Sequence, residues 1–92
     1  MKIKALFHGI LSEWVGVPKA EIELADGGTF SDLLAEIRRI YGSSMPEQLW
    51  NKEQKAFNKA VWAMRGKEKL FDPATEIKNG EEVNFFLTLA GG

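Results

Sequence analysis

Ninety-two residues hold one domain and one hydrophobic core, and a composition of 45% hydrophobic and 27% charged residues excludes the low-hydrophobicity, high-charge regime of disordered chains. Twelve Lys and Arg against thirteen Asp and Glu leave a net charge of -1 without a block of like charge, which argues against nucleic-acid binding. Cysteine is absent, so the chain carries no disulfide, thiolate metal site or cysteine nucleophile. Met1-Lys2-Ile3-Lys4 breaks up too early for a signal-peptide core, and no apolar run approaches the ~20 residues that span a bilayer. A cytoplasmic protein without a membrane partner is expected.

Lys2 to His8 alternates, with Ile3, Ala5 and Phe7 on one face and Lys2, Lys4, Leu6 and His8 on the other, the pattern of a half-buried strand. Ile10, Leu11, Trp14 and Val15 then recur at helical spacing and stop at Gly16 and Pro18. Glu21 to Ala25 alternates again, with Ile22 and Leu24 inward. Asp26-Gly27-Gly28 is turn chemistry, and Thr29 followed by Asp32 has the spacing of a capping box. The helix it opens carries an apolar stripe of Phe30, Leu33, Leu34, Ile37, Ile40 and Tyr41, with Gly42 placed to stop it. Each large stripe residue contributes about 1.5 to 3 kcal/mol when buried, so the stripe must lie against a sheet.

In the stretch from Ser43 to Phe57, Met45, Leu49, Trp50 and Phe57 predict a short second helix starting near Ser44-Met45-Pro46-Glu47. Ala60 to Met64 reads as a third strand, Arg65-Gly66-Lys67 as a turn and Glu68 to Phe71 as a fourth strand, broken by Asp72-Pro73. Asn79-Gly80 turns into a last strand, Glu82 to Leu89, whose Val83, Phe85, Leu87 and Leu89 alternate with Asn84, Phe86 and Thr88. This order predicts an α+β fold: a mixed sheet of about five strands packed on one main helix, with a short second helix. If the first and last strands pair in parallel at its centre, residues 1-89 form the domain. Residues 90-92 then form a flexible tail. That Ala90-Gly91-Gly92 tail reads either as a handle that enters a narrow slot or as an inert frayed end.

The opening Ile3-Lys4-Ala5-Leu6-Phe7, the stretches Glu21-Ile22-Glu23-Leu24 and Gly28-Thr29-Phe30-Ser31-Asp32-Leu33-Leu34, and the closing Asn79-Gly80-Glu81-Glu82-Val83-Asn84-Phe85-Phe86 with Ala90-Gly91-Gly92 resemble one family. It is that of the ubiquitin-like (β-grasp) sulfur carriers MoaD and ThiS, and the likeness is greatest to the small subunit of molybdopterin synthase. Leu87-Thr88-Leu89 stands where that branch commonly has prolines, and the 43-57 connection is enlarged. The resemblance implies a chain that is cargo rather than catalyst. An E1-like enzyme would adenylate the Gly92 carboxylate with ATP, and a sulfur donor would displace AMP to leave a thiocarboxylate. A larger synthase subunit would receive that sulfur in molybdenum- or tungsten-cofactor synthesis. ATP is then the activating partner's, and this chain binds no cofactor or metal of its own.

Chemically, Gly92 would end in a carboxylate that resists nucleophiles until activated, and Gly91 would give clearance in the channel. Docking needs a wider surface, for which Leu6, Trp62, Phe86, Leu87, Thr88, Leu89 and Ala90 are the candidates. Phe86 and Trp62 either anchor that interface or pack under the 43-57 segment. His8 has no ligand partner at metal spacing and reads as a polar strand-end residue. Arg65, Lys67 and Lys69 read as a solvated turn or as a patch for an acidic partner. Two other readings share the tail chemistry: a ubiquitin-like modifier conjugated through Gly92 and a thiamine-type carrier. A binding module with an idle tail is the third.

Overall fold

In a computed structural model of the chain, residues 1-53 and 55-88 are described. The strands are β1 (Lys2–Phe7), β2 (Lys19–Glu23), β3 (Trp50–Asn51), β4 (Ala56–Phe57), β5 (Val61–Arg65), β6 (Glu68–Leu70) and β7 (Glu82–Leu87). The helices are α1 (Ile10–Val15) and α2 (Phe30–Tyr41). Five strands form one mixed sheet in the order β2-β1-β7-β5-β6, and β3 and β4 form a small separate hairpin. β1 and β7 run parallel at the sheet's middle, with Ala5 opposite Val83 and Phe7 opposite Phe85; the other pairings are antiparallel. This is the α+β arrangement expected from the strand order and the β-grasp that the family resemblance implied.

The alternation in β1 places Ile3, Ala5 and Phe7 in the core, where they meet Ile22 of β2 and Val83 and Phe85 of β7. α2 closes that face with Phe30, Leu33, Leu34 and Ile37. Its start follows the capping box: the Thr29 amide donates to Asp32 Oδ2 at 2.9 Å, and the Asp32 amide donates to Thr29 Oγ1 at 3.3 Å. The α-helix stops at Gly42 as expected, with two further features at its end. Gly42 has ordinary right-handed angles, and the chain continues into a 3-10 turn over Gly42–Ser44. Ile40 is 42% exposed, because at 100° per residue it falls at the flank of the line through Ile37 and Tyr41.

The short helix of the fold is α1, which ends at Gly16 with φ 105°, a backbone angle that favours glycine. The expected helix in the 43-57 stretch is corrected: Gly42–Ser44 and Glu47–Leu49 are 3-10 turns, and Trp50–Asn51 pairs with Ala56–Phe57 as the β3 and β4 hairpin. Met45, Leu49 and Phe57 do enter the core, but as three separate insertions. Phe57 packs 5.5 Å from Phe85 and 5.4 Å from Trp50, and the Arg38 guanidinium lies 5.3 Å above the Trp50 ring. Strand bounds shift slightly, with β2 beginning at Lys19, β5 at Val61 and β6 ending at Leu70. Among the described residues, no helix is long and apolar enough to cross a membrane.

Ile37 is fully buried where helix meets sheet, so Ile37→Ala removes three carbons from a packed site. We expect a loss of about 2 to 5 kcal/mol in unfolding free energy, measured by urea denaturation, with an unchanged m-value.

Candidate functional site

β7 runs through the middle of the sheet and carries the chain towards its last residues. Its exit is fixed on both sides: the His8 amide donates to the Phe85 carbonyl at 3.0 Å, and the Thr88 amide donates to the Ala60 carbonyl at 2.8 Å. Thr88 adds a second bond from its hydroxyl to the same carbonyl at 3.2 Å. Phe85 lies inside the core, whereas the next residue, Phe86, is on the opposite side of the sheet. It faces Trp62, its cross-strand partner, with ring centroids 6.4 Å apart.

Leu6 lies on that same outer face, half-buried, in register with Asn84 on one side and Lys19 on the other. Leu6, Trp62 and Phe86 therefore share the face turned away from α2, while Leu87, opposite Val61, turns towards the helix side. Met45, Leu49 and Phe57 of the 43-57 segment belong to the core on the helix side. Phe86 and Trp62 therefore do not pack under the 43-57 segment but lie together on the outer face. Leu89, Ala90, Gly91 and Gly92, the remaining candidates, lie outside the described residues.

Two features of this face were not legible from spacing. The Lys69 ammonium sits 3.7 Å from the centre of the Trp62 ring, so part of this lysine's charge is directed onto an aromatic face. His8 Nε2 lies 2.7 Å from Asn84 Oδ1, bridging β1 and β7 just before the exit. The polar strand-end reading of His8 gains a specific partner. Cross-strand register, which joins residues 76 apart, was the missing signal.

Arg65 behaves differently from its sequence neighbours Lys67 and Lys69. Its Nε and Nη2 donate to Glu68 Oε1 at 3.1 and 2.8 Å, and its Nη1 donates to the Glu76 carbonyl at 2.8 Å and lies 3.4 Å from Glu81 Oε1. The hydrogen bond to Glu68 raises the pKa of the guanidinium further. Arg65 thus ties the β5 and β6 turn to the loop that feeds β7, and its charge is used internally.

The chain matches no family model and no curated protein. Its fold is similar to SAMP1 from Haloferax volcanii, at 14% identity over 100% of both chains with a TM-score of 0.82. It is similar also to a Pyrococcus furiosus protein described as subunit 1 of a molybdopterin converting factor, at 23% identity over 97% of this chain and 99% of that one, TM-score 0.75. A third likeness is to the Amycolatopsis orientalis BexX/CysO complex, at 17% identity over 98% and 99%, TM-score 0.67. The class defined is therefore the small ubiquitin-like β-grasp protein, the fold that the sequence resemblance implied. At these identities the likeness fixes the fold.

Trp62 and Phe86 touch across the open face, so a double-mutant cycle of Trp62→Ala and Phe86→Ala measures their coupling. We expect about 0.5 to 1.5 kcal/mol, read from equilibrium unfolding of the four proteins.

Proposed function

We propose that this chain is a sulfur carrier of pterin-cofactor synthesis whose carboxyl end is Gly92. The observation that carries this reading is the path of β7: a strand clamped at the sheet's centre ends at Leu87, one residue before the hydrogen-bonded Thr88, beside the outward-facing Trp62 and Phe86 pair. The sequence then runs Leu89-Ala90-Gly91-Gly92. A rigid body with an apolar face next to its outgoing strand suits delivery of a tail into a partner's pocket. Ordering each tail residue there costs about 1 to 2 kcal/mol of backbone entropy, which the docked face must offset.

In this proposal an E1-like enzyme binds the Leu6, Trp62 and Phe86 face, and Leu87 and Thr88 guide the segment from Leu89 to Gly92 into its ATP site. The Gly92 carboxylate oxygen attacks the α-phosphorus of ATP and pyrophosphate leaves. Sulfide-level sulfur from a donor then attacks the activated carbonyl, AMP departs and a thiocarboxylate remains. Gly91 and Gly92 lack Cβ atoms and so fit a slot narrow enough to exclude water. A larger subunit of the molybdopterin-synthase type, docking on the same face, consumes the sulfur. The Pyrococcus protein named for molybdopterin conversion supports this choice of pathway.

A second reading has its own support, the 0.82 TM-score with SAMP1, a small archaeal modifier protein. In it the activated Gly92 carbonyl is attacked by a lysine amine of another protein, giving an isopeptide bond.

Intact-mass measurement after incubation with an E1-like enzyme, ATP and a sulfur source tests both. Exchange of one oxygen for sulfur in the wild-type chain, abolished by Gly92→Phe, is the expected result. Gly92-dependent conjugates on lysines, with no sulfur-bearing free chain, replace the carrier by the modifier. A wild-type mass that never changes removes both.

A further inference from the structure

A different region of the molecule has the construction of a binding groove. Between the first turns of α2, the β3 and β4 hairpin and the β6 edge lie two adjoining hollows of about 370 and 410 Å³, which share Phe30, Leu34, Ala56 and Phe71. Volumes of this size fall in the range of about 300 to 1,000 Å³ that holds ligands or peptide side chains. We infer that this groove docks an extended acidic segment of a partner protein, one with an aromatic or branched aliphatic anchor between carboxylates. The inference makes no use of Gly92 and stands apart from the sulfur-carrier reading.

Charge selects the occupant. Every ionisable residue lining the two hollows is a lysine: Lys59 and Lys69 in one, Lys55 in the other. All three are exposed, and among the described residues no salt bridge engages any of them. Of the nearby carboxylates, Glu68 is paired with Arg65, while Asp72 accepts from the Ala74 amide at 2.9 Å. On a chain of net charge -1, three lysines outside any salt bridge among the described residues, Lys69 with its ammonium over the Trp62 ring, border an apolar trough and favour an anionic partner.

The shape selects an extended segment. β6 closes one side of the five-stranded sheet, and a free strand edge is a template for an added strand. Phe71, directly after that edge, is 78% exposed and lines both hollows. A large apolar side chain held that far into water beside a trough is the residue that a docked anchor would cover. The α2 amides do not supply the anion site. Phe30 and Ser31 donate to the Thr75 and Pro73 carbonyls, and Asp32 donates to Thr29. Recognition of carboxylates therefore falls to the lysines.

The test uses the full chain, labelled with nitrogen-15, and a fluorescein-tagged peptide of sequence Asp-Glu-Asp-Phe-Ile-Val-Asp-Glu. Expected are saturable binding by anisotropy, weakening as salt rises, and amide shifts at Ala56, Phe57 and Glu68 to Phe71. The triple variant Lys55→Glu, Lys59→Glu, Lys69→Glu should lose affinity by about tenfold or more. Phe71→Ser, which changes one exposed side chain and no charge, should weaken binding without altering its salt dependence. Four results would overturn the inference: no saturable binding, equal affinity for the peptide with lysines in place of its acids, shifts confined to Leu6 and Phe86, or the same shifts arising from self-association without peptide. Tighter association with phosphatidylserine vesicles than with the peptide would replace it by a membrane surface.

Discussion

Parallel pairing of β1 with β7 is the constraint on which the rest of the structure depends. It joins residues almost a full chain length apart, and it does so through the apolar positions Ala5, Val83, Phe7 and Phe85, with the two phenylalanine rings stacked at 5.4 Å. Until that contact forms, α2 has only half a sheet to lie on, and β5 and β6 have no centre to join. Loop closure over such a separation is entropically costly, so the pairing must bring much apolar burial with it. The fully buried Ile3, Ile22, Leu33, Ile37, Val83 and Phe85 meet around it. The same pairing places the outgoing strand in the interior of the sheet instead of at an edge.

Much of this was legible in the sequence because the signals were local. Thr29 and Asp32 announced the helix start through side-chain chemistry that needs only three residues of separation. Period-two alternation in β1 and β7 assigned each side chain to a face before any strand was paired. The 43-57 segment misled for a physical reason. Met45 and Leu49 stand four apart, as on one helix face, yet Met45 is the extended residue after the Gly42–Ser44 turn, Leu49 belongs to the Glu47–Leu49 turn, and Pro46 lies between them. Strands of two residues, such as Trp50–Asn51 and Ala56–Phe57, are too short to show a period at all.

The site was partly legible for the same reason. Alternation alone sent Phe86 to the open side, but which residue it would meet depended on the β5 and β7 register. That register set Trp62 opposite it and brought Lys69 over the indole. The lysine-lined trough was invisible in the sequence, because its walls come from α2, the small hairpin and β6. Arg65 shows the converse: it resembles Lys67 and Lys69 in the sequence, yet its guanidinium is committed to Glu68, Glu81 and a backbone carbonyl.

The neighbouring phenylalanines of β7 divide two tasks between consecutive codons. Phe85 is locked among core rings, whereas Phe86, one peptide bond later, lies on the outer face of the sheet against Trp62. Changes at one position leave the requirements at the other untouched. A lineage can thus rewrite what its surface recognises while retaining the scaffold beneath, and a fold that superimposes at a TM-score of 0.82 on a protein sharing 14% of its residues is the outcome such a division allows.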